Sequence, residues 1–294
     1  MLFINNYNIN IILLILIIRM TTHSVIIKGG LGNQLFQVFF LISYCLKYNH
    51  KYVFPKNMQK WDNRSSYWNS LLDNLKKYTI DNDKITFKKK EIEDFHYLDF
   101  DNLLENTLFD GYFQSYLYFE KYYSDIITLL DIKGKKNIIK SKLNINLNNK
   151  ISLHFRIYGG NQPCRFHPDL NNDFYINSLK HIINTTKKDD WDIVYFNEKR
   201  FDNLILKKIV YFKEVFPNLN FIKLENELSD WEEMLVMSLC QHNIIANSSF
   251  SWWGAYFNKN EEKIVCYPSL WFGEALSHYN LQDLHPTKWS RIKV

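Results

Sequence analysis

HNIIANSSFSWWGAYF, residues 242–257, decides the fold. HNIIA (242–246) is a short apolar run of strand length, and NSSFSWWGAYF (247–257) enters through small polar residues into the apolar body of a helix. A strand passing through a polar turn into a helix is one α/β unit. Downstream, KIVCYP (263–268) is the next strand, closed by Pro268. Upstream, SDWEEMLVMSLC (229–240) is an amphipathic helix with Ser229 or Asp230 at its cap and Glu232 and Glu233 in its first turn. Further back, the reading gives LNFIKL (219–224) as strand, Phe201–Phe212 as helix and WDIVYF (191–196) as strand. Before these come a helix from Asp173, its cap, to Lys187, and the strand ISLHF (151–155).

The first half opens in the same way. SVIIK (24–28) is a strand, GGLGNQ (29–34) a glycine turn, and LFQVFFLISYCLKY (35–48) an apolar stretch of helical length. DGYFQSYLYFE (110–120) reads as a strand or turn entering a helix. Residues 50–110 mix charges and aromatics with weak periodicity, and no elements are assigned there. DIKGKKNIIKSKLNINLNNK (131–150) is rich in Lys and Asn and poor in apolar residues, so it is taken as the inter-domain boundary. Strands alternating with helices predict an α/β fold with mostly parallel sheets, whose ligands bind beyond the carboxyl ends of the strands.

Composition bounds the function. The chain has 294 residues, which at roughly 100–200 residues per domain fits two domains or one large one. It is 46% hydrophobic and 17% aromatic, which excludes a disordered chain. A net charge of +5, with only short Lys runs at 88–90 and 133–136, speaks against nucleic acid as a partner. The four cysteines, Cys45, Cys164, Cys240 and Cys266, form no C-x-x-C, which argues against a zinc ribbon and against thioredoxin-like chemistry. Three of them sit in apolar runs as core thiols, and Cys164 lies in a polar loop.

The apolar run IILLILII (11–18) is shorter than the ~20 residues of a membrane span. It leaves three readings of residues 1–20: a poor signal-anchor, a disordered tail, or a start assigned ahead of Met20. A cytoplasmic or peripherally membrane-associated protein is expected. The sequons at Asn63, Asn184 and Asn247 are read as chance in so Asn-rich a chain.

Three segments could carry chemistry. In GGLGNQ, Gly30, Gly32 and Asn33 stand at a helix start, where backbone N–H groups suit an anion; a tight turn alone explains them equally well. Gly30 and Gly32 match the start of a dinucleotide fingerprint, but Leu35 occupies its third glycine position. In ISLHFRIYGG (151–160), His154 and Arg156 are two apart on a strand and face the same way. Arg suits phosphate oxygens, although an ordinary surface ion pair is the commoner explanation from spacing alone. In NSSFS, the hydroxyls of Ser248, Ser249 and Ser251 precede a helix, where they could hold phosphate or simply cap. Trp252 and Trp253 read as packing residues.

Taken in order, these segments resemble the motifs of glycosyltransferase family 11, the galactoside α-1,2-fucosyltransferases. GGLGNQLFQ, DGYFQS, ISLHFR, RFHPDLNNDFYINSL, EMLVMSLCQHNIIANSSFSWWGAYF and YPSLWF each have a counterpart, across residues 24–294. The resemblance implies a GT-B-like architecture of two Rossmann-like α/β domains with mostly parallel sheets facing across a cleft. Residues 21–145 would be the acceptor-side domain and 146–294 the nucleotide-sugar-binding domain. It implies inverting, metal-independent transfer of L-fucose from GDP-fucose, as donor substrate, to a glycan hydroxyl, with no cofactor. Arg156 would hold the donor diphosphate, with His154 in support. Gly30, Gly32 and Asn33 would line the cleft, Ser248, Ser249 and Ser251 would contact the phosphates, and Phe250 would wall the nucleotide. His167, Asp169 and Glu198 are candidate bases by position.

The chain departs from the family pattern in two places. Ile157 stands where a second Arg is expected, followed by Tyr158, Gly159 and Gly160 in place of the rest of the motif. Asn197-Glu198 replaces a Ser-Asp pair. The alternatives are therefore another nucleotide-linked deoxyhexose as donor, or an inactive homologue that binds nucleotide or carbohydrate.

Overall fold

The computed structural model describes residues 20–57, 64–81, 84–143, 145–159, 164–224 and 227–294. The apolar run at 11–18, the sequon at Asn63 and Gly160 lie outside the described residues. Among the described residues no helix is long and apolar enough to cross a membrane.

The first strand, β1 (Thr22–Val25), leads into the glycine turn and α1 (Leu31–Tyr48). Gly29 turns there with φ +79°, a conformation that only glycine adopts without strain. Five further strands follow: β2 (Lys51–Tyr52), β3 (Phe54–Pro55), β4 (Thr79–Ile80), β5 (Lys88–Glu91) and β6 (Thr107–Asp110). Strands β2-β1-β6-β5 form one sheet, and β3 pairs with β4 beside it. Two helices, α2 (Tyr123–Leu129) and α3 (Ile132–Lys142), then lead to the second sheet.

That second unit alternates β7 (Lys150–His154), α4 (Asn172–Thr186), β8 (Asp192–Phe196), α5 (Asp202–Val215), β9 (Asn220–Ile222), α6 (Asp230–Met237), β10 (His242–Ile244), α7 (Ser249–Tyr256), β11 (Val265–Pro268) and β12 (Ser290–Ile292). Its order is β12-β11-β10-β7-β8-β9, and every described strand pair in the molecule is parallel. Counted along the chain this is the doubly wound order 3-2-1-4-5-6, which reverses direction between β7 and β10. The register pairs Leu153 with both Tyr195 and Ile244. All five residues of β7 and all three of β10 are buried, as expected for central parallel strands covered on both faces.

Three sequence expectations shift. The Lys- and Asn-rich stretch 131–150 holds a helix, α3, because Ile132 and Ile139 fall on one buried face and the Asp131 carboxylate caps the Gly134 amide at 3.1 Å. The cap of α4 is Asn171, whose side chain accepts from Phe174 N–H at 3.0 Å; Asp173 already lies in the first turn. The strands β2 to β5 and β12 were not visible as periodic runs, since each spans only two to four residues.

The apolar core does not stop where the sheets divide. Phe36 and Phe39 of α1 pack on Trp252 and Trp253 of α7, with ring centroids 4.6 Å and 4.5 Å apart. All four side chains are completely buried, and burying a Phe contributes about 1.5–3 kcal/mol. A separate cluster, with Leu153, Phe155, Phe174, Tyr175 and Phe212, fills the space between the second sheet and α4 and α5. Trp252 and Trp253 are thus packing residues, and Cys45, Cys240 and Cys266 are buried thiols.

Candidate active site

A cavity of about 1350 Å³ opens between the two sheets. Its floor lies at the switch point, where the loops after β7 and β10 leave the sheet side by side. Strand alternation turns His154 and Arg156 into the cavity, while Phe155 and Ile157 are buried in the core. Ile157, at the position of the expected second Arg, therefore faces away from the cleft.

Two helices start at this cavity from opposite sides. Gly30, Gly32 and Asn33 at the start of α1 and Ser248, Ser249 and Phe250 at the start of α7 all line it. The Asn33 side-chain oxygen accepts from Ser249 Oγ at 2.7 Å and from Gln114 Nε2 at 2.9 Å. Trp253 Nε1 donates to the Gly32 carbonyl at 2.9 Å. A Cβ on Gly32 would lie 2.3 Å from the Ser249 carbonyl carbon, so the two helix starts touch backbone to backbone. The positive ends of both helices thus face one volume, an arrangement suited to an anion.

Arg156 pairs through Nη1 with Oε1 of Glu198, and its guanidinium lies 4.8 Å from the centre of the Tyr158 ring. Glu198 also accepts from Arg200 Nε at 2.7 Å. The His154 imidazole packs against Phe250 at 5.5 Å, and burial, with Arg156 adding to it, lowers its pKa to about 3. It is a neutral ring at pH 7. The Tyr158 hydroxyl donates to the Asn247 carbonyl at 2.9 Å and so ties the two switch-point loops together.

The three candidate bases separate. His167 lines the cavity, stacked on Tyr158 at 4.7 Å, and burial together with Arg156 lowers its pKa. Glu198 also lines it but is engaged by two arginines. Asp169 does not line it. Its carboxylate holds the turn after β7 by accepting from the amides of Tyr158 at 2.6 Å and Gly159 at 3.3 Å, so it supports the loop.

Ser251 does not line the cavity: it is buried in the first turn of α7 with its hydroxyl donating to the Ser248 carbonyl. Asn247 is buried as well, donating to the Pro168 carbonyl at 2.9 Å, which closes its sequon to modification.

Several wall residues were not singled out as site candidates from the sequence. Arg64 lies over the glycine turn, with Nη1 3.2 Å from where a Gly30 Cβ would stand. Lys28, three residues past β1, and Asp110, at the end of the adjacent β6, pair at 2.5 Å. Burial works against ionisation of Asp110, but Lys28 and Lys89 hold its pKa below the usual carboxylate range. Glu233, in the first turn of α6, has its pKa raised to about 7 by burial and by nearby Asp230. Asp110 begins the recognised DGYFQS segment and could have been singled out from it. Arg64 sits in the stretch whose elements sequence periodicity does not assign.

The chain resembles known glycosyltransferases in sequence. The family model "Glycosyl transferase family 11" matches residues 213–293. An Escherichia coli alpha-1,2-colitosyltransferase is 26% identical over 91% of this chain and 97% of its own length. The Escherichia coli O-antigen biosynthesis glycosyltransferase WbnK is 30% identical over 49% of this chain and 46% of its own. Among solved structures, the Escherichia coli ADP-heptose lipopolysaccharide heptosyltransferase II superposes with a TM-score of 0.47 at 11% identity, covering 93% of this chain and 90% of that one. The chain thus carries two parallel α/β units facing across a cleft, and its second unit matches the glycosyl transferase family 11 model over residues 213–293, which supports glycosyl transfer as its chemistry.

Proposed function

We propose that the protein transfers L-fucose from GDP-fucose to a sugar hydroxyl of a glycan, with inversion at the anomeric carbon and without a metal. The observation that carries this reading is the convergence of Arg156 with the starts of α1 and α7 on one cavity. That convergence suits the diphosphate that departs as the sugar is transferred. The acceptor hydroxyl attacks the anomeric carbon opposite the leaving group, through a transition state of oxocarbenium character. Arg156 and the helix-start amides stabilise the negative charge that grows on the diphosphate, more in the transition state than in the ground state. Of the three bases considered from sequence, His167 lines the cleft, has its pKa lowered by burial and Arg156, and forms no ion pair among the described residues, so it is assigned the proton.

A second reading, colitose as the transferred sugar, is favoured by the name of the relative that aligns over nearly the whole chain. Melting the purified protein with GDP, UDP and dTDP, and assaying transfer from GDP-fucose and from GDP-colitose, each with and without EDTA, separates the two. The fucosyl reading expects stabilisation by GDP and transfer from GDP-fucose, both unaffected by EDTA. Transfer from GDP-colitose alone moves the donor, and a response only to UDP or dTDP refutes a GDP-linked sugar. Arg156→Ala should lower the transfer rate by about 10²–10³; a full rate in this variant ends its assigned role.

A further inference from the structure

We infer that Glu198 is an internal anion that occupies Arg156 and yields it to the donor's diphosphate, so that its charge sets the affinity of the cleft for nucleoside diphosphates. This rests on the reading of Arg156 as the diphosphate ligand. Arg156 and Glu198 sit two residues beyond the last register pair of neighbouring strands, His154 and Phe196, so the sheet itself brings them together. Each carboxylate oxygen of Glu198 serves a different guanidinium: Oε1 meets Arg156 Nη1, and Oε2 accepts from Arg200 Nε at 2.7 Å.

The two arginines are unequal. Arg156 is three-quarters buried, with its Nε enclosed and without a hydrogen-bond partner among the described residues, while the Arg200 side chain is 65% exposed. Arg156 is thus a fork only partly used by a carboxylate, although its five donors could serve more acceptor oxygens. A diphosphate carries more negative charge and more acceptor oxygens than a carboxylate, so it outcompetes Glu198 for that fork. Glu198 then stays with Arg200, which lies on the cavity wall and keeps the released carboxylate paired. The swap moves one ion pair without stranding a buried charge, which would be costly.

The charge count makes Glu198 consequential. The carboxylate is set against Arg156, the one arginine this strand turns into the cleft. Removing that charge takes the Arg156–Glu198–Arg200 group from a net +1 to +2. For a partly exposed site, one unit of charge at contact distance corresponds to about three- to tenfold in affinity.

The test is titration calorimetry of the full chain with inorganic pyrophosphate and with GDP. It compares wild type, Glu198→Gln, Arg200→Ala and the double variant, with melting curves as a folding control. Glu198→Gln is expected to bind both ligands about three- to tenfold more tightly, an advantage that shrinks as salt is raised. Arg200→Ala, which removes the carboxylate's second partner as well as one positive charge, should weaken binding more in the wild-type background than once Glu198 is Gln. Unchanged or weaker binding by Glu198→Gln overturns the inference, as would be the case if Glu198 positioned Arg156 or touched the nucleotide. Equal losses from Arg200→Ala in both backgrounds also overturn it, because Arg200 would then hold phosphate itself. Pyrophosphate binding by the wild type that Arg156→Ala leaves intact refutes instead the diphosphate reading on which the inference stands.

Discussion

Gly32→Ala tests how the site is built. A Cβ at Gly32 would stand 2.3 Å from the Ser249 carbonyl carbon, 2.5 Å from its oxygen and 2.6 Å from Phe250 N. Relaxed non-bonded contacts of this kind lie at about 3.5–4.0 Å, so the start of α7 must retreat by roughly 1 Å. All three atoms are backbone, and α7 is anchored behind by two fully buried tryptophans, so the movement is resisted. Overpacking of this kind costs about 1–3 kcal/mol. The retreat also strains the bond from Trp253 Nε1 to the Gly32 carbonyl, worth about 1 kcal/mol, while a better helix propensity returns at most a similar amount. A net loss of about 1–3 kcal/mol corresponds to a melting temperature lower by roughly 2–5 °C in a protein of this size. Scanning fluorimetry with and without GDP reads both stability and binding. A variant that melts within about 1 °C of wild type refutes the packing argument. The same melt with GDP binding abolished would show that Gly32 serves the ligand and not the helix contact.

Asn33→Ala leaves the Ser249 hydroxyl and the Gln114 amide without their shared acceptor at the mouth of the cleft. It should cost about 1–2 kcal/mol, read as a lower urea midpoint, and loosen GDP binding; an unchanged midpoint would show that other partners replace it. Acid should destabilise the protein well above the carboxylate range. Burial lowers the pKa of His154 to about 3 and, with His50 and Lys188 as the respective smaller contributions, those of His23 and His242 to about 4. The unfolded chain protonates these rings near pH 6.5 while the folded chain does not, so the unfolded state binds more protons between about pH 6.5 and 4. Stability is present above that window and falls as pH drops through it, by up to about 1.4 kcal/mol per pH unit for each histidine. Urea midpoints that stay level from pH 7 to 4.5 would contradict the assignment of neutral buried rings.

Much of this protein was determined along the chain. The second half reads as alternating strands and helices because central parallel strands need continuous apolar runs, and ISLHF, WDIVYF and HNIIA supply them. The period-two rule alone put His154 and Arg156 on one face, and both line the cavity. Tertiary structure decided the rest, for reasons that sequence spacing does not contain. Ser248, Ser249 and Ser251 look equivalent in NSSFS, yet the helix turns Ser251 into the core. Asp169 and Glu198 look alike as acidic residues near the motif, but loop closure sends one to backbone amides and sheet register sends the other to Arg156. Arg64, Asp110 and Glu233 reach the cleft from segments far apart in sequence, and only folding brings them to it. Local sequence determined which segments are strand and helix through hydrophobic periodicity. Which side chains share the cleft was settled by strand order and by the packing of α7 against α1, because those contacts join residues more than two hundred positions apart.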